Sequence, residues 1–229
     1  MSEEGLFIGS TAEGARQAIN WKRANRHGLI AGATGTGKTI TLQVMAEGFS
    51  RNGVPVFVSD VKGDLSGMAM AGAATQKNHE NFANRAKEIG DSEWVYSDNP
   101  VQFWDLFGEN GHPVRTTVSE MGPLMLARLM DLNEVQEGVL TIAFHVADKE
   151  QMLLLDLDDL QAMLVNIAER ADEMTTTYGN VSKQSVGSIQ RSLLQLRSQG
   201  GDRFFGEPAL DLDDFVACDD KGRGIINIL

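Results

Sequence analysis

Cysteine is nearly absent: Cys218 is the only one in 229 residues. A single thiol excludes an internal disulfide framework and any zinc site built from several cysteines. Long apolar runs are also missing, since no stretch approaches the roughly 18 consecutive apolar residues of a membrane-spanning helix. The N-terminus, MSEEGLFIGS, carries acidic residues where a secretory signal carries basic ones. A cytoplasmic protein is therefore the expectation. Basic residues are scarce, 20 against 32 acidic for a net charge of −12, which argues against a free-standing protein that coats DNA. Hydrophobic residues at 42 % and charged residues at 23 % suit a globular chain that buries a core, and they exclude collagen-like, low-complexity and fully disordered classes.

The acidic excess is concentrated. Residues 114–174 hold 4 basic and 12 acidic residues, −8 of the chain's −12. The same stretch has the clearest helical periodicity, so it reads as a separate acidic helical unit. Ser119 can cap a helix running to about Asp131. Asn133 with Gln136 has the form of a capping box for a second helix, through about Val146. Asp156 can cap a third reaching about Glu173, and Ser182 a fourth ending at Gly200-Gly201. Earlier in the chain, Gly28 to Ala31 reads as the end of an apolar strand, and Lys38 to Arg51 as a helix with Leu42, Met45, Ala46 and Phe49 on one face. Asn52-Gly53 stops that helix, and Val54 to Ser59 (VPVFVS) follows as a strand buried on both faces. Strand, turn, helix and strand in that order form a βαβ unit, which implies a parallel sheet. Residues 80–90 suit another helix, and Trp94 to Tyr96 and Val101 to Trp104 suit short strands. The chain closes on GIINIL (224–229), an apolar strand pattern. A bare buried strand is an unusual natural end, so the chain reads as the N-terminal part of something longer.

One motif carries specific chemistry. Gly32-Ala33-Thr34-Gly35-Thr36-Gly37-Lys38-Thr39 fits G-x-x-x-x-G-K-[ST] at every fixed position, behind an apolar segment and ahead of a periodic helix. Polyphosphate needs many donors at close range. Glycines let backbone N–H groups approach without Cβ clashes, and the helix that follows turns its positive end on the same phosphates. Lys38 then reaches the β- and γ-phosphates, and the Thr39 hydroxyl ligates Mg²⁺. The expected cradle extends to Ile40 in the first helical turn, with ATP or ADP and Mg²⁺ as the ligands.

Other candidates are weaker. Asp60-Val-Lys62-Gly63-Asp64 follows the second strand, at the edge where open α/β sheets bind ligands. Asp60 and Asp64 could orient a water or hold a Mg²⁺-bound one, and an acidic turn bent by Gly63 and Gly67 explains the same residues equally well. P-loop ATPases place a carboxylate after a run of apolar residues to serve Mg²⁺ and the attacking water. Met152-Leu-Leu-Leu155-Asp156 has that form, yet Asp156 works better as a helix cap. Lys22, Arg23, Arg26 and His27 suit a solvated rim more than a phosphate contact. Histidines 79, 112 and 145 have no metal-ligand spacing. Arg191, Arg197 and Arg203 could serve as arginine fingers, with nothing in the spacing to select one.

These residues carry a resemblance. HGLIAGATGTGKTITLQVMAE and VPVFVSDVKGDLSG resemble HerA-like P-loop ATPases of the HerA–FtsK superfamily. FWDLFGENGHPVRTTVSEMGP, LNEVQEGVLTIAFHVAD and YGNVSKQSVGSIQRSLLQLRSQGGDRFFGEPALDLDDF are similar to its YjgR-like, helicase-like branch. The resemblance implies an α/β fold with a RecA-like, mostly parallel sheet. Its P-loop core occupies residues 1–118, an all-helical insertion 119–200, and a return to the core sheet 201–229. It also implies an ATP-driven motor, often hexameric, that acts on DNA or another polymer. The family roles fall on Gly32, Gly35, Gly37, Lys38 and Thr39, and Asp60 matches the aspartate that ends the family's second strand, a catalytic candidate beside Lys38. The family's second acidic motif, a strand ending in Asp-Glu, has no counterpart within these residues, so this chain alone is expected to hydrolyse ATP weakly. The competing reading is a non-motor nucleotide switch or phosphotransferase, with a partner-recruiting module behind it.

Overall fold

Two apolar segments far apart in the chain meet as neighbouring strands. The computed structural model describes residues 5–229. The chain divides into two compact units, one formed by residues up to Trp104 together with Asp211–Leu229, the other by Asp105–Leu210.

The first unit is α/β. An antiparallel hairpin pairs β1 (Leu6–Ser10) with β2 (Arg16–Ile19) in the register Leu6↔Ile19 and Ser10↔Arg16. Helix α1 (Lys38–Arg51) leads to β3 (Val56–Val58), and helix α2 (His79–Glu88) precedes β4 (Val101–Asp105). The last strand, β6 (Ile226–Ile228), runs parallel to both β3 and β4, with Ile226 opposite Val56 on one side and Val101 on the other. Within this unit the sheet order is β3-β6-β4, and the short strand β5 (His112–Pro113) belongs to the second unit. Alternation divides the faces. Ile226 and Ile228 turn into a core with Ala46, Leu65 and Met68, and Asn227, fully buried, faces the other way. There its carboxamide oxygen accepts from Trp104 Nε1 at 2.8 Å and its nitrogen donates to the carbonyls of Val56 and Phe215, so a polar group in a central strand is satisfied on both sides.

Three strand expectations are corrected here. Gly28–Ala31 forms no strand, and Leu29 is 90 % exposed. A strand holds its extended shape through neighbours that pair its backbone, and among the described residues none pairs with this segment. Val54–Ser59 narrows to Val56–Val58, and Phe57 is 51 % exposed rather than buried on both faces. Its ring stands edge-on to that of Phe215, centroid to centroid at 5.2 Å. Trp94–Tyr96 is irregular, and its rings instead cluster with His79, whose Nδ1 lies 3.2 Å from the Tyr96 hydroxyl.

The second unit is helical. It contains α3 (Val118–Leu129), α4 (Glu134–Lys149), α5 (Leu157–Glu169), α6 (Ala171–Tyr178), α7 (Lys183–Ser198) and the short α8 (Gly201–Phe204). Helix α4 packs against α3, α5 and α7, around a core that includes Leu126, Leu140, Leu160, Leu164, Ile167, Ile189 and Leu193. The Asn133–Gln136 capping box forms, and Ser182 caps α7 through the N–H of Ser185 at 3.0 Å. Thr117 rather than Ser119 caps α3, because only Thr117 has Glu120 three residues on to return the bond. The third expected helix is divided at Arg170, which pairs with Glu150 at 2.8 Å and Glu173 at 2.9 Å. Hydrogen bonds that Arg170 donates to Glu173 and then to Glu150 push its pKa up further. No helix of the described residues is long and apolar enough to cross a membrane.

Candidate nucleotide site

The candidate phosphate loop, Gly32–Thr39, lies in the first unit and runs into the first two residues of α1. Gly37 is the N-cap in a left-handed conformation (φ 92°), and no side chain caps the helix. No acidic residue lies in the first turn, so the orphan N–H groups and positive end of a 14-residue helix stand uncompensated. Gly35 is also left-handed (φ 82°), with nothing within 4 Å of where a Cβ would sit, so backbone conformation rather than crowding requires glycine there. At Gly32 the reason is different, because a Cβ would collide with the Thr36 hydroxyl.

The loop's side chains fall into two groups. The Thr36 hydroxyl and Lys38 Nζ both donate to the Ala33 carbonyl at 2.8 Å, and the Thr41 hydroxyl donates to the Gly37 carbonyl at 3.2 Å. Lys38 is thereby drawn back over the loop. The Thr39 hydroxyl has no hydrogen-bond partner among the described residues, whereas the hydroxyls of Thr36 and Thr41 both do. An unclaimed hydroxyl beside an uncapped helix end and a lysine folded over a glycine-rich turn fits the donor set that Mg²⁺ and a polyphosphate require. Ala33, Thr34 and Thr36 form the rim and are exposed, as is Ile40 at 54 %.

Asp60 follows β3, and its N–H donates to the Leu229 carbonyl at 2.7 Å. Its carboxylate is turned into its own loop: Oδ1 accepts from Lys62, Gly63 and Asp64, and Oδ2 from Leu65 at 2.8 Å. Burial raises its pKa, but the N–H donors of Leu65, Asp64, Lys62 and Gly63 together outweigh that and leave it below the ordinary 3.8. A carboxyl with a lowered folded pKa holds its proton more tightly in the unfolded chain, so it favours the fold above its unfolded pKa and loses that contribution as pH falls. Asp60→Asn should therefore flatten the acid side of the stability profile, read as urea midpoints between about pH 3 and 6. A profile parallel to that of the unaltered chain would show that these four bonds contribute nothing to folding.

Sequence reasoning passed over Gln43, whose side chain donates to the Asp64 carbonyl at 3.3 Å and ties α1 to that loop. The available signal was its spacing of four residues from Thr39, which places both on one helical face.

The family model for helicase HerA-like C-terminal matches residues 6–229. The chain belongs to that family. No curated protein matches it. HerA-like proteins are a family of ATPases and helicases that use ATP and Mg²⁺. Within the helical unit of this HerA-like chain, Asp156 caps α5, accepting from Asp158 and Asp159 at 2.8 and 3.0 Å. Arg197 pairs with Asp158 and Asp202, and Arg203 pairs with Glu109 at 2.7 Å. Arg191 donates to Ser188 on its own helix at 2.9 Å. No group of three or more metal-ligating side chains occurs among the described residues.

Proposed function

We propose that this chain binds Mg²⁺-ATP and Mg²⁺-ADP along Gly32–Thr39, and that the whole protein couples ATP hydrolysis to translocation of DNA or another polymer. The observation that carries the binding is the uncapped start of α1, with Lys38 and the free Thr39 hydroxyl as its first two residues. Backbone N–H groups of the loop hold the β-phosphate, Lys38 contacts the β- and γ-phosphates, and the Thr39 hydroxyl faces the metal. Mg²⁺ supplies neutralisation of the charge that spreads over the phosphate oxygens during transfer. Asp60 belongs to the same edge through the loop that its carboxylate organises. Family membership supports the motor and an oligomeric, ring-forming whole protein, with the acidic helices inserted between two parts of a RecA-like core.

Calorimetric titration of the chain with ADP, with and without Mg²⁺, tests the binding. Thr39→Ala removes one metal ligand and leaves the backbone cradle, so the gain in affinity that Mg²⁺ confers should fall by about tenfold. An undiminished gain would remove the hydroxyl from the metal site. Phosphorylation of a small acceptor by the whole protein, in place of salt-sensitive DNA binding, would favour the phosphotransferase over the motor.

A further inference from the structure

Helix α3 is apolar on two sides. Leu126, Ala127 and Met130 face the helical core, and the opposite arc holds Leu124, Met125, Arg128 and Leu129, all exposed. The three apolar members of that arc are 50 %, 53 % and 52 % exposed. The outer arc of an amphipathic helix is normally polar, so a helix with large apolar side chains there has a face suited to a partner. Val135, just past the turn from α3 to α4, is 60 % exposed as well. The charges in the same stretch are mostly acidic: residues 124–137 hold Asp131, Glu134 and Glu137 against Arg128 alone. None of these four side chains has an ionic partner among the described residues.

The first unit carries a segment of the complementary kind. Residues 14–46 contain no acidic residue and five basic ones, in a chain whose net charge is −12. Lys22, Arg23 and Arg26 are exposed, without an ionic partner among the described residues, and Leu29 after them is 90 % exposed. The start of the segment is held in place. Trp21 packs edge-on against Phe49 of α1, with ring centroids 6.0 Å apart, and the Asn20 side chain accepts from the Lys22 N–H at 2.9 Å.

Two other pairings satisfy only part of this. A phosphate backbone would meet the bases and leave Leu29 in water. Two copies of the α3 face set against each other would bury the apolar residues but oppose like charges, which costs affinity. The basic segment of one copy on the α3 face of another satisfies both charge and apolar surface. We propose that copies of this chain join head to tail in this way, with Lys22–Leu29 of one seated on the outer face of α3 in the next. This deepens the oligomeric reading of the whole protein and rests on it. Because the contact uses two different surfaces, every pair keeps one of each kind open, and the contact repeats until a ring closes.

The test is sedimentation velocity on the full chain, over a concentration series at low salt, where surface charges are least screened. Arg23→Glu with Arg26→Glu disables the segment. Met125→Gln with Leu129→Gln disables the face and keeps good helix formers at exposed positions. Each double variant should associate about tenfold more weakly than the unaltered chain, with an unchanged circular dichroism spectrum. Mixing the two variants reads the geometry, since the mixture contains one sound segment and one sound face. It should give a one-to-one pair at the affinity of the unaltered chain, and nothing larger. Normal association of the Arg23→Glu, Arg26→Glu chain would overturn the proposal. If that chain also lost binding to a DNA oligonucleotide, the bases would belong to nucleic acid instead. Normal association of the Met125→Gln, Leu129→Gln chain would overturn it equally, and both results leave the oligomeric reading standing. An unaltered chain that stays monomeric at every concentration would overturn that reading together with the contact.

Discussion

Lys38→Ala is expected to weaken ADP and ATP binding by about ten- to a hundredfold, the largest effect of any single change in the first unit. A charge-assisted hydrogen bond contributes roughly 1.5–3 kcal/mol, and each 1.4 kcal/mol is about a factor of ten in affinity. The lower figure applies if the ammonium group only touches phosphate. The higher applies here because Lys38 Nζ also bonds the Ala33 carbonyl at 2.8 Å, so its loss slackens the loop as well as removing a charge. The fold should be unaffected: position 38 opens a helix, alanine is the best helix former, and no ion pair is lost. Circular dichroism and the thermal midpoint provide that control. Lys38→Arg should bind nearly as poorly, because a planar guanidinium cannot occupy the place of a compact ammonium group folded over the loop. Calorimetric affinity within about threefold of the unaltered chain, in a variant that melts normally, would remove Lys38 from the site.

The glycine-rich turn ahead of α1 was legible in sequence because its conformation is local: Gly35 and Gly37 both take left-handed backbone angles just before the helix opens at Lys38. The caps at Asn133, Asp156 and Ser182 were legible for the same reason, each being completed within three residues. What was missed depended on distant partners. The break between α5 and α6 has no local signal, since the periodicity runs on through it, but Arg170 there meets Glu150 twenty residues earlier. The strand expected at Gly28–Ala31 failed on pairing, which composition does not encode. The β1–β2 hairpin went unread because LFIGS and RQAI alternate weakly, although Leu6 is packed over Gly48 of α1, where a larger residue would strike it. The aspartates at 60 and 64 show the limit most clearly. Sequence placed both near the nucleotide edge, and only the hydrogen bonds show that one carboxylate is taken by its own loop.

The helical unit makes the second large prediction, on stability. Leu164 lies on α5 with no exposed surface, on the stripe Leu157, Leu160, Leu164 and Ile167 that faces the core shared with α4 and α7. Leu164→Ala removes buried methyl and methylene groups and leaves a cavity that helices held on several sides can only partly close. Such changes cost about 2–5 kcal/mol, and the upper half of that range applies where neighbours cannot collapse into the space. Leu140, Ile189 and Leu193, all with no exposed surface, belong to the same core cluster. Leu194, one residue further along α7, is 67 % exposed. The same truncation there should change stability by less than about 0.5 kcal/mol. The pair isolates burial from side-chain identity, because both variants delete the same atoms from a helix. Urea unfolding followed by circular dichroism should give a much lower midpoint for Leu164→Ala at an unchanged slope, and for Leu194→Ala a curve that overlays the parent. Equal losses in the two variants would mean that α5 and α7 do not enclose a common core, and a change in slope for Leu164→Ala would mean that the unfolded chain, rather than the cavity, carries the effect.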